Sequence, residues 1–250
     1  MHINRLLALA ASTLLSACAS HLNAPAETVS VPDTGFRTTT GITYSPDNWP
    51  QELQADLYLP DSPDPAPAVL LVHGGGWERR SRKDMTWIAE HLAGRGFAVM
   101  NIDYRFAPEH TFPAQLHDLQ IAMNWLHARA GAYNLDRNAI SAFGFSSGAH
   151  LVSLLAVIAE SQHPLNQPHG GADARPVAVV AGGVPADLRT FGSGKLIRQF
   201  LGGDLQDIPG VYEAASPITH ITAGTPPFFL FHGAQDMLVP ADQARDFRAR

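Results

Sequence analysis

The stretch Gly144-Phe145-Ser146-Ser147-Gly148 constrains the fold more than any other part of this chain. It follows a strand-like apolar run, Ala139-Ile140-Ser141-Ala142-Phe143, and opens a helix-like apolar run from Ala149 to Ala159. A G-x-S-x-G turn between a strand and a helix is a nucleophile elbow, which holds a serine hydroxyl out at the carboxyl end of a sheet. The turn is so tight that side chains flanking the serine would strike neighbouring backbone, hence the glycines. Ser146 is therefore the candidate nucleophile. The rest of the pattern agrees. Apolar runs at 68–72, 97–103, 176–181 and 227–231 read as strands, and the stripes Met85, Ile88, Ala89, Leu92 and Leu116, Leu119, Met123, Leu126 read as helices. Strands alternating with helices predict an α/β chain with a doubly wound, mostly parallel sheet. Leu53, Ala55, Leu57 and Leu59 alternate with Gln54, Asp56 and Tyr58, which predicts a half-buried strand.

Two further runs end in chemistry. Ala68 to Val72 leads into His73-Gly74-Gly75-Gly76-Trp77, where successive glycines leave backbone N–H groups uncovered for a developing oxyanion. With the N–H of Ser147, those of Gly74, Gly75 and Gly76 make the expected oxyanion hole. Phe228 to Phe231 leads into His232-Gly233-Ala234-Gln235-Asp236. An acid there, after the serine and on the loop following a late strand, keeps the Ser…Asp order of a hydrolase triad.

Taken together, the chain resembles the HGGG-type esterases of the α/β-hydrolase fold, the hormone-sensitive-lipase-like and feruloyl-esterase-like branch near the kynurenine formamidases. The resemblance runs from about Leu53 to Phe247. It rests on His73 to Trp77, the block Asp103-Tyr104-Arg105-Phe106-Ala107-Pro108-Glu109-His110, Phe112-Pro113-Ala114, Gly144 to Gly148 and His232 to Pro240. Ser147 departs from it, since hormone-sensitive-lipase-like members usually carry Ala there. The resemblance implies a Ser-His-Asp acyl-enzyme mechanism on a small carboxylic ester, with no cofactor and no metal. It leaves two alternatives, an amidase or formamidase-type hydrolase and a non-catalytic binding lipoprotein of the same fold.

The third member of the triad is missing, because no histidine follows Asp236. Residues 239–250 read as the helix after the acid loop. The resemblance implies a further strand, a histidine-bearing loop and a closing helix beyond Arg250, so the expectation is a domain over 36–250 that is C-terminally incomplete, the front part of a longer protein. Other histidines invite over-reading. His150 lies one helical turn after Ser146 and is expected to pack, His73 and His232 to bond backbone, and His163 and His169 to sit in an exposed loop. Gly192-Ser193-Gly194-Lys195 lacks the spacing of a phosphate-binding loop. Arg105 and Glu109 are expected to brace the loop beside the oxyanion hole, with Asp118 as a partner. Residues 161–175 and 187–209 are expected to form a small cap over the substrate.

The formal charge is −6 and no basic run occurs, so nucleic acid is not an expected partner. The chain has one cysteine, which excludes an intrachain disulfide. That cysteine ends the segment Leu15-Ser16-Ala17-Cys18, behind a charged start and a short apolar run from Leu6. The run is too short for a mature membrane span. It reads as a secretory signal over 1–17, and the segment resembles a bacterial lipobox, with Cys18 the lipidated first residue and 18–35 a tether. Ala19 after it suggests a lipid-anchored protein of the outer membrane, facing the periplasm. Oligomeric state is not assigned.

Overall fold

The computed structural model describes residues 33–159, 163–192 and 194–250. The expected signal segment, Cys18 and most of the tether lie outside the described residues.

Seven strands make one sheet, β1 (Phe36–Thr43), β2 (Gln54–Pro60), β3 (Ala66–Val72), β4 (Ala98–Ile102), β5 (Leu135–Phe145), β6 (Val179–Gly182) and β7 (Phe228–Phe231). Their spatial order is β1-β2-β4-β3-β5-β6-β7. β2 runs antiparallel to both of its neighbours, β1 and β4, and every pairing from β4 to β7 is parallel. The expected doubly wound, mostly parallel sheet is thus present, with one antiparallel strand, β2, next to the edge strand β1.

Helices cover it in two layers. On one face α1 (Thr86–Ala93) packs Ala89 and Ala93 with Met85 against Tyr58, Leu71 and Val99. On the other, α2 (Ala114–Arg129) and α3 (Ser147–Ile158) pack into the main core with Leu70, Val72, Met100 and Ile102. β3 is central and its last five residues are buried, as a strand covered on both faces must be. The same reason corrects the reading of β2. Its alternation predicts a half-wet strand, yet Asp56 and Tyr58 are buried along with the leucines. Tyr58 lies under α1, and the Asp56 carboxylate is answered by the Gly41 N–H at 2.9 Å and Arg82 Nε at 3.0 Å.

The cover thins toward β7. Three short helices complete this part, α4 (Lys195–Leu201), α5 (Pro209–Ala214) and α6 (Asp242–Ala249). α6 packs Phe247 against Phe228. The alternate residues point to the opposite face, where Phe145 is 46% exposed, Phe231 38% and Phe229 65%. Their registers align across Gly182 and Val180. They form an apolar strip with no helix over it among the described residues.

Candidate active site

The elbow sits between β5 and α3. Ser146 has φ 54° and ψ −121°, a left-handed conformation that a side chain rarely adopts. Closeness of backbone enforces the flanking glycines. A Cβ on Gly144 would lie 2.3 Å from Gly148 O, and one on Gly148 would lie 2.3 Å from Val72 O. The Ser146 N–H donates to Gly182 O (2.8 Å) and its carbonyl accepts from His150 N (3.0 Å), so the strained residue is held from both sides. Its Oγ makes no hydrogen bond among the described residues.

The loop after β3 passes close by. A Cβ on Gly74 would lie 2.9 Å from Phe145 O and 3.2 Å from the Ser146 Cβ. Gly75 has φ 124° and a Cβ there would strike Arg79 O at 2.1 Å. The N–H groups of Gly74, Gly75 and Gly76 donate to no group among the described residues, and neither does that of Ser147, the first residue of α3. Native backbone donors this close to a core are nearly always paired. Four unpaired ones beside an unbonded serine hydroxyl form an anion-accepting corner, reinforced by the positive end of α3.

Behind the corner is a buried hydrogen-bonded set. The Tyr104 hydroxyl donates to His73 O (3.1 Å) and lies 3.3 Å from Ser147 Oγ. Burial raises the Tyr104 pKa, so it remains a phenol. This contact accounts for a serine at 147 where alanine is usual. His73 stacks on Tyr104 and its Nδ1 donates to Gly74 O at 2.5 Å, as expected of a backbone-bonded histidine. His150 does more than pack. It is fully buried, its Nδ1 accepts from Trp77 Nε1 (3.2 Å) and its Nε2 lies 2.7 Å from Ala215 O, which makes the Nε2–H tautomer the bonded one. One ring therefore ties the serine helix to the glycine loop and to the segment after α5. Trp77 stacks on Phe200 of α4, and Leu196 of the same helix closes over Gly76. Of the expected cap, α4 thus lies over the site. The segment 163–175 instead lies on α2, through Gln120 to Leu165 O and Asn124 to His169 O, both at 2.8 Å. Neither His163 nor His169 is a free surface histidine: the first packs on His220, the second on Trp49 and His117.

Asp236 is on the loop after β7. Its Oδ1 accepts the N–H groups of Leu238 and Val239 at 2.9 Å each. These bonds, Val239 first, hold its carboxyl below the ordinary range. Its Oδ2 faces Gly183, next to the residue that bonds the Ser146 N–H, and the nearest histidine atom is His232 Nε2 at 3.8 Å. That ring donates to Val239 O at 2.7 Å, so it bonds backbone rather than the acid. No described histidine is hydrogen-bonded to Ser146 Oγ or to Asp236. Arg105 and Asp118 form the expected pair, with Nη2 to Oδ1 at 2.7 Å, whereas Glu109 is exposed and braces nothing. The described residues hold no cluster of three metal-ligating side chains. Sequence reasoning missed Tyr104, Leu196 and Phe200 as parts of the site. Tyr104 had a signal, its place in the Asp103-Tyr104-Arg105 block, while the other two carry none that distinguishes them from core.

Comparison with known proteins agrees with the fold. The BD-FAE family model matches residues 55–250. Esterase LipC of Mycobacterium tuberculosis is 33% identical over 74% of this chain and 48% of its own length. The probable carboxylic ester hydrolase LipM of the same organism is 32% identical over 73% of this chain and 44% of its own. The chain thus spans about half the length of these curated relatives. A truncated carbohydrate esterase from gut microbiota superposes with a TM-score of 0.77 at 26% identity, over 90% of this chain and 85% of that one. The propionate-bound thermophilic esterase Est2 of Thermogutta terrifontis gives 0.67 at 26% identity, over 87% and 78%. The shared architecture is the α/β-hydrolase fold.

Proposed function

This chain belongs to the BD-FAE family, and on that premise we propose that it is a serine hydrolase of small carboxylic esters. The observation that carries the proposal is the unbonded Ser146 hydroxyl beside four unpaired N–H groups. Ser146 Oγ attacks the ester carbonyl. The N–H groups of Ser147, Gly75 and Gly76, with Gly74 behind them, stabilise the tetrahedral oxyanion, each such donor being worth about 3 kcal/mol. The alcohol leaves, and water releases the acyl group by the same path. Leu196 and Phe200 crowd the glycine loop, which favours a short acyl chain. The carbohydrate esterase and the propionate-bound esterase among the similar structures support short esters, including those on sugars.

The reaction needs an imidazole to move the serine proton, oriented by the carboxylate facing it. We assign it to chain that continues past Arg250. Two observations support this: among the described residues the Oδ2 of Asp236 carries no hydrogen bond, and no helix covers the apolar strip of Phe145, Phe229 and Phe231. The test is turnover of p-nitrophenyl acetate. A form extended past Arg250 is expected to be active, its Ser146→Ala variant to lose several orders of magnitude in kcat, and residues 1–250 alone to be nearly inert. Near-normal hydrolysis by the Ser146→Ala protein removes the serine from the mechanism. We also propose that Cys18 is lipidated and anchors the enzyme to the outer membrane; the lipobox-like sequence supports it.

A further inference from the structure

A second concavity lies away from the serine. It is an open pocket of about 480 Å³ between the β1–β2 loop, the start of α2 and the loop after α3, lined among others by Trp49, Arg105, His117, Ile121 and His169. None of Ser146, Ser147, Asp236 or the three glycines lines it.

Arg105 is 6% exposed. Its Nε and Nη2 bond Asp118 and Ala114 O, and Nη1 makes no hydrogen bond among the described residues. The guanidinium lies over the Trp49 ring, with Cζ 5.0 Å from its centroid. The His117 and His169 rings meet edge to face at 5.0 Å, and His169 meets Trp49 at 4.7 Å. Neither imidazole makes a hydrogen bond among the described residues. Burial, together with the nearby Arg105 charge, lowers both pKa values, that of His117 to about 4. At neutral pH each ring therefore offers one donor and one acceptor.

We propose that this pocket is a second binding site, separate from the serine, for a neutral sugar ring. A hydroxyl both donates and accepts, which matches neutral imidazoles, the Asn48 carboxamide and a guanidinium N–H. Trp49, Ile121 and the flanking prolines offer apolar surface to the C–H face of a sugar. A carboxylate fits worse. The Arg105 charge is already matched by Asp118. The pocket holds its ligand whether or not the serine is competent.

The test titrates the full chain with xylotriose or cellotriose, which carry no ester, and separately with benzoate, following histidine C–H resonances and calorimetry. The expected result is that an oligosaccharide shifts His117 and His169 with a Kd of about 1 mM. His169→Ala and Trp49→Ala are each expected to weaken binding at least about fivefold, and Ser146→Ala to leave it unchanged. His169→Ala guards against a folding defect in the tryptophan variant, whose indole also bonds Asp118. Absence of any shift with either sugar, binding of benzoate alone, or a sugar response that survives both pocket variants each overturns the proposal.

Discussion

At the scale of single residues the site depends on groups with one partner to either side. His150 is the clearest case. Burial lowers its pKa from the usual value near 6.5 to about 4, so it is neutral when folded, and the hydrogen bond that Nδ1 accepts from Trp77 needs that neutral form. A histidine with a depressed folded pKa contributes stability in full above its unfolded pKa and loses it as pH falls toward the folded one. Unfolding monitored by denaturant should therefore show a loss on the order of 3 kcal/mol between pH 6.5 and pH 4 from this residue. His150→Gln should flatten that slope, and an unchanged slope would dissociate the ring from the pH response. Much of this level was legible beforehand. Ser146, its flanking glycines and Asp236 stand out because glycine and turn chemistry are local. The linking role of His150 was not, because Trp77 and Ala215 are brought to it only by the tertiary fold.

At the scale of elements, the run from β4 into α2 shows what holds the site in place. Asp118, on the second turn of α2, receives the Arg105 side chain, the Arg105 N–H and the Trp49 indole. Three separate segments thus meet on one buried carboxylate. Desolvation raises its pKa and the guanidinium opposes the rise. Removing one member of a buried pair leaves the other uncompensated, at a cost of about 3–5 kcal/mol. Asp118→Ala should lower stability by that amount in a denaturant titration, and a loss below about 1 kcal/mol would mean that water replaces the carboxylate. Strands and helices were largely legible, since periodicity reports burial on one face or on both. β2 was misjudged for a physical reason: its alternation is the same whether the second face meets water or, as here, α1 and the Arg82 guanidinium.

At the scale of the whole molecule, the sheet is well covered from β2 to β5 and bare along one face at β7. No described helix is long and apolar enough to cross a membrane, and the membrane attachment proposed above is through Cys18. In a bacterial host, an alkyne fatty acid should label the wild type and not Cys18→Ser, and the variant should move to the soluble fraction. A mature protein that starts elsewhere and carries no lipid ends that proposal.

The three glycines of the loop after β3 are blocked in different ways, and this sets where the loop can vary. A side chain at Gly74 or Gly75 meets backbone, which cannot step aside. At Gly76 the obstacle is the tip of Leu196, 2.9 Å away, and the left-handed φ of 65° is one that asparagine tolerates. In a saturation library, Gly74 and Gly75 should return only glycine. Gly76→Asn should survive selection when paired with Leu196→Ala and fail alone. If the double variant is as dead as the single ones, the constraint at Gly76 lies in its N–H and not in its space. Otherwise this pair is where the loop after β3 can be reshaped without disturbing Gly74 and Gly75.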